Sequence, residues 1–308
     1  MLPIGERQPM APGPEGLYFA PMRPQALALL AGLTLIGGTG SLATAPADTA
    51  SLSLFRQQAA PLTDAAMEQF LRTARVVRSR ETDKGVTGSV RATLSDGALT
   101  HDAHIQTVEV FKSEFRAKGK FERNFRDDWR FNIAVYRIDR LLGLHLVPVS
   151  VERNWKRTRA AFTWWIDDVL MDEGQRLNQD ASPPDARCWY EQMRHLRLLD
   201  QLIDNADRNH GNLLITHNWR LWAIDHTRAF RYSETPRFPA QLIGVDRTVL
   251  ERLEALDFAT VKRAVERHIS DADIRTLLSR RDGIVAHFRQ RGEAALFDRR
   301  SSASGCMN

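Results

Sequence analysis

The chain has 308 residues, 43% hydrophobic and 26% charged, with a formal net charge of +5. Such usage excludes a mostly disordered, collagen-like or coiled-coil chain, and the length suits one large domain or two lobes. So mild a charge gives no ground for a nucleic-acid binder. Two cysteines, Cys188 and Cys306, exclude a disulfide framework or a four-cysteine zinc site; with Cys306 in a polar tail, free thiols are expected.

Residues 1–22 are rich in Pro and Gly and lack periodicity. Arg23 then precedes an apolar run from Ala26 to Gly38, and small residues follow in an Ala43-x-Ala45 pattern. A positive end, an apolar stretch and small residues are the parts of a secretory signal. The run is shorter than the roughly 20 residues that cross a bilayer. Export or membrane anchoring through residues 24–45 is therefore expected, with a cytoplasmic chain as the alternative. Residues 1–50 form a leader outside the fold on either reading.

Residues 51–80 read as a helical lead-in, because Leu62, Ala66, Phe70, Ala74 and Val77 recur at helical spacing. Val90–Leu94 running into Ser95-Asp96-Gly97 predicts a strand and hairpin turn. His101-Asp102-Ala103-His104 reads as an exposed loop. Val108–Phe111 reads as a strand ending at Lys112, followed by a basic polar stretch from Arg116 to Arg130 with interleaved acids, expected to be a solvated face. Phe131, Ala134, Val135, Ile138, Leu141 and Leu142 mark a helix that Gly143 stops. Leu146–Val151 and Ala160–Ile166 read as strands, the first at an edge because of Pro148.

After Ser182-Pro183-Pro184, a stripe of Trp189, Met193, Leu196, Leu199 and Ile203 predicts a helix. Leu213–Ile215 and Leu221–Ile224 pair across His217-Asn218. Residues from Thr248 to about Ala295 read as helical, with a capping-box pattern at Ser270 and Asp273. The fold class is α+β: a strand-rich lobe over residues 81–170, a helix-rich lobe over 171–298, and a tail over 299–308.

The chemistry concentrates in Ile203-Asp204-Asn205-Ala206-Asp207-Arg208-Asn209-His210-Gly211-Asn212, then in Ala223-Ile224-Asp225-His226. Carboxylates beside apolar segments are costly unless paired, and oxygen donors of this type suit magnesium or manganese. Asp207 and Asn212 are five apart, with Asp225 at the end of a later strand. Protein kinases set a catalytic Asp and two metal ligands in that order, and use a strand lysine on the phosphates. Lys112 fits that lysine.

The stretches Asn205–Asn212 and Ala223–Phe230 resemble the atypical kinase-like group, which includes phosphoinositide kinases, their bacterial relatives and secretory-pathway kinases related to Golgi casein kinase. Ala134–Leu144 and Val147–Arg153 are similar to the first-lobe helix and next strand of the bacterial members. The resemblance implies a two-lobed kinase-like fold and a phosphotransferase that uses ATP with Mg2+ or Mn2+ on a hydroxyl-bearing acceptor. It implies Asp207 as the catalytic carboxylate, Arg208 as its orienting neighbour, Asn212 and Asp225 as metal ligands, and Lys112 as the phosphate lysine.

A phosphate loop is hinted at by Gly85 and Gly88. Asn132 stands where many kinases carry a helix Glu; Asp128, Glu109 or Glu122 would have to substitute, or Lys112 be held otherwise. A pseudokinase that binds nucleotide without transfer is the alternative function. His210 and His226 are expected to support the loop. Trp164-Trp165 suits an adenine pocket or a core pair equally.

Overall fold

The computed structural model describes residues 62–82, 89–117, 120–205 and 208–299. Gly85, Gly88 and Asp207 lie outside the described residues, as do the leader and Cys306. All described residues fall in one compact unit.

The chain opens with helix α1 (Asp64–Thr73), capped by the Thr63 hydroxyl, which accepts the Ala66 N–H at 3.2 Å. The expected helical stripe stops there. Ala74 turns extended, and Val77 lies in strand β1 (Arg75–Glu81), where β-branched Val76 pairs with Leu94 of the next strand and Val77 falls at a shift of register. Strands β2 (Val90–Ser95) and β3 (Thr100–Gln106) form the expected hairpin. Asp96 Oδ1 accepts the Ala98 and Leu99 N–H groups at 2.9 and 2.8 Å, and Gly97 takes φ +96°. His101–His104 is therefore strand rather than exposed loop, and His101 stacks on Trp164 at 3.7 Å.

Strands β4 (Glu109–Ala117) and β5 (Lys120–Asp128) form a separate two-stranded hairpin, so the basic stretch is largely strand. Helix α2 (Arg130–Leu142) follows and ends as expected at Gly143, at φ +64°. Strands β6 (Ser150–Trp155) and β7 (Thr158–Trp164) complete an antiparallel five-stranded sheet in the order β1-β2-β3-β7-β6. Pro148 precedes the edge strand rather than sitting in it. Trp129 and Ile133 pack helix α2 on Ala161 of β7.

The helical half begins with β8 (Val169–Asp172) and the short helix α3 (Glu173–Asn178), neither evident from periodicity. Helix α4 (Ala186–Leu202) starts at an Asp185 cap and buries Trp189, Met193, Leu196 and Leu199, the stripe read from the sequence. Strand β9 (Leu213–Thr216) lies between β8 and β10 (Leu221–Ala223) in an antiparallel three-stranded sheet. Helices α5 (Arg247–Glu254), α6 (Phe258–Val265) and α7 (Asp271–Arg291) follow, the last with the Ser270–Asp273 capping box. Cys188 is disulfide-bonded, correcting the expectation of free thiols. Among the described residues no helix is long and apolar enough to cross a membrane.

Candidate active site

The loop between α4 and β9 is built on buried charge. Asp200, on the last turn of α4, faces Arg208 at 2.9 Å, and its backbone carbonyl accepts the Asn205 N–H at 3.0 Å. Both side chains are buried, where a pair holds geometry because breaking it strands a charge. Arg208 also donates to the Ile224 carbonyl at 2.8 Å. Arg208 thus orients the loop, tying the end of α4 to the residue before Asp225.

Asp204 does a different job. Its carboxylate is buried, pairs with Arg237 and accepts the Ser233 N–H at 3.3 Å, so it fixes the segment beyond the site. Arg280, buried on α7, supports the same corner by donating to the Leu202 and Ser233 carbonyls at 2.7 and 2.6 Å. Nothing in the sequence marks Arg280 beyond its helical register.

Asp225 is held on both flanks. On one side the Ile224 N–H donates to the Asn212 carbonyl at 3.0 Å, bringing the 3-10 turn His210–Asn212 beside the end of β10. On the other, the His226 N–H donates to Asn132 Oδ1 at 2.8 Å. Asp225 itself sits at φ +54° and is exposed. A left-handed non-glycine residue costs energy and persists where its surroundings impose it, often at functional sites. Its Oδ1 accepts the Thr227 hydroxyl at 3.1 Å. The exposed Asp225 carboxylate and the neighbouring Asn212 are oxygen donors of the kind magnesium and manganese take, so their chemistry fits such an ion, while among the described residues no group of three or more His, Cys, Asp or Glu side chains gathers to hold one. The His226 ring is buried, and burial plus the nearby Arg208 charge hold its pKa well below the usual histidine value. The ring is therefore held in its neutral form.

The structure changes the reading of the strand lysine. Lys112 lies on the β4–β5 hairpin, outside the five-stranded sheet, exposed and 5.1 Å from the Phe115 ring centre. None of the three carboxylates considered as its partner pairs with it. Asp128 and Glu109 both bind Arg130, at 2.7 and 2.6 Å, and Glu122 binds Arg228 and Arg231, each at 2.6 Å. The hairpin instead braces the segment after Asp225, and Arg126 adds a 2.8 Å contact to Asp273 on α7.

A polar side chain that meets α2 from the sheet is Gln106, the last residue of β3. Its Oε1 accepts from Asn132 Nδ2 at 2.8 Å, and both residues are buried. Kinases join a strand lysine to a helix Glu across such a contact. Here two neutral amides do so, and the same Asn132 carries the His226 backbone. Two positions on from His104 in an alternating strand, Gln106 lacks any charge that would flag it. His104 lies near Asp225: burial lowers its pKa against the pull of that carboxylate. Trp164 contacts Phe70 and His101, a packing role, while the Trp165 ring lies under the Arg91 guanidinium at 4.1 Å.

No protein-family model and no curated protein matches the sequence. Solved structures do match in fold, and the fold is that of the atypical kinase-like proteins. A hydra Fam20 structure determined with sugar aligns with a TM-score of 0.58 at 14% identity, covering 76% of this chain and 92% of that one. Golgi casein kinase aligns with a TM-score of 0.53 at 14% identity, covering 76% and 77% of the two chains. Its complex with Mn and ADP aligns at 0.52 and 13% identity, covering 76% and 78%.

Proposed function

We propose that this chain is a metal-dependent phosphotransferase that moves the γ-phosphoryl group of ATP to a hydroxyl acceptor. The observation that carries the reading is Asp225, exposed and left-handed, fixed from one side by Asn212 and Arg208 through Ile224 and from the other by Asn132 through His226. A magnesium or manganese ion bound there would offset the charge of the phosphates. Asn212 and Asp225 would hold it, Asp207 would orient the acceptor hydroxyl, and Arg208 would keep the loop in register. Lys112 is not part of this proposal, given its place on the hairpin. Gly85 and Gly88, outside the described residues, would offer backbone N–H groups to phosphate.

A second reading, nucleotide binding without transfer, is favoured by the neutral Gln106–Asn132 contact, since the ion pair it replaces positions phosphates in kinases. Labelled ATP with Mg2+ or Mn2+, mixed with the full chain and with its Asp207→Ala and Asp225→Ala variants, decides between them. Transfer or hydrolysis by the parent alone supports the enzyme. Metal-dependent binding with no turnover supports the second reading, and equal turnover by all three proteins refutes the first.

We further propose that the chain is exported, its leader ending near residue 45. The signal-like run supports this, and so does the disulfide at Cys188, because such bonds persist in oxidising compartments. A reporter fused after residue 50 that fractionates wholly with the cytosol would refute it.

A further inference from the structure

Beside α2, one residue round the helix from Asn132, two cavities of about 360 and 270 Å³ share Glu152, Arg159 and Arg267 in their walls. The smaller is the more cationic. Arg72, Arg137, Arg153, Arg159 and Arg267 line it, against only Glu152 and Glu266. Glu68 of α1, outside its lining, takes two of these arginines, Arg72 and Arg137, at 3.1 and 2.7 Å. Counting that carboxylate too, the guanidinium groups remain two charges in excess.

The arrangement is more than a self-neutralising network. Glu152 is shared by Arg159 at 2.6 Å, Arg267 at 3.0 Å and His268 at 3.1 Å, so one carboxylate serves three basic groups. Each arginine carries five N–H donors and commits one nitrogen to it. Arg153 forms no ion pair among the described residues; it donates to the Leu71 and Ala74 carbonyls at 3.0 and 2.7 Å, which carry no net charge. Cations drawn from α1, α2, β6, β7 and the segment after α6 thus converge on one concavity with unmatched charge. Planar guanidinium forks fit phosphate oxygens in pairs, and a volume of about 270 Å³ falls below that of sites for drug-sized ligands.

We propose that this cavity is a second ligand site, separate from the Asp225 site, that takes a small soluble multivalent phosphate anion. The proposal does not depend on phosphoryl transfer, since neither Asn212 nor Asp225 lines the cavity.

Titration calorimetry of the full chain with pyrophosphate, in excess EDTA so that metal-dependent nucleotide binding is silent, tests it. Binding is expected in the parent and in Asp225→Ala alike. The Arg159→Gln/Arg267→Gln double variant should raise Kd at least tenfold. Both side chains are more than half exposed, at 57% and 62%, so this variant should keep its fold. Arg153→Lys serves as the second variant, keeping the charge and losing the fork, with an expected loss of several-fold. Absence of binding by the parent overturns the site, as does an unchanged Kd in the double variant or loss of binding in Asp225→Ala. A phosphoserine peptide or phosphoinositide vesicles displacing pyrophosphate at tenfold lower concentration would overturn the assignment to a small soluble anion.

Discussion

Asp225 rests on two supports built from different chemistry. Towards α4 the support is ionic: Asp200 and Arg208, both buried, reach the backbone of Ile224. Towards the sheet it is neutral: Gln106 and Asn132 reach the backbone of His226 through amide hydrogen bonds. The ionic support costs desolvation and returns rigid geometry, whereas an amide relay needs little charge compensation and supplies no cation to a phosphate. The helical half therefore anchors Asp225 through charge, and the sheet half anchors it through neutral amides.

The comparison breaks most visibly at Arg208. Arg208→Ala leaves Asp200 buried without its partner and should cost about 3–5 kcal/mol of stability, read by urea unfolding. A cost under about 1 kcal/mol, the range of exposed pairs, would mean that the pair is not a support at all. Next in size, Asn132→Leu strands the buried His226 N–H and the Gln106 carbonyl. It should cost about 1–3 kcal/mol and loosen the Asp225 segment, seen as faster amide exchange at residues 224–227. Unchanged exchange there would show that the sheet-side support does not reach Asp225.

Restoring charge sharpens the contrast. The double variant Gln106→Lys/Asn132→Glu should tighten ATP binding about tenfold, the equivalent of ~1.4 kcal/mol, if a missing strand cation limits affinity. An unchanged Kd would show that phosphate charge is met elsewhere. A pH-dependent effect concerns Asp139 on the buried side of α2. Burial raises its carboxyl to about 6, although it accepts the Leu146 N–H at 2.9 Å and contacts Arg140. Its folded pKa lies above the unfolded value of 3.8, so the folded chain retains a proton that the unfolded chain releases. The stability owed to this group is full below pH 3.8 and falls as pH rises through about 6. Asp139→Asn should remove that part of the slope, measured as the parent-minus-variant difference in unfolding free energy between pH 4 and 7; an identical slope would refute it.

Local rules make much of the molecule legible in its sequence. The α4 stripe, the Gly143 stop, the Asp96-Gly97 hairpin and the Ser270 cap each follow from neighbouring residues, and each stands where the spacing puts it. The departures share one cause: a period cannot distinguish strand from helix at a boundary, nor say which strand enters the main sheet. Val77 fits a helical stripe yet lies in β1, at a shift of register, and Lys112 follows a strand-like run that belongs to an outlying hairpin. Gln106 and Asn132 carry no such signal, because two amides acquire meaning only when folding brings residues 26 positions apart within hydrogen-bond reach.

The claim on which the account depends is that Asp225 holds the ion that bridges protein and nucleotide. Manganese with ATP, followed by the electron-spin-resonance signal of free Mn2+ during titration with the full chain, measures it directly. The parent should bind the metal–nucleotide complex, and Asp225→Ala should weaken that binding about a hundredfold or more, equivalent to ~2.8 kcal/mol. An Asp225→Ala chain that takes up manganese and ATP as tightly as the parent would contradict the account.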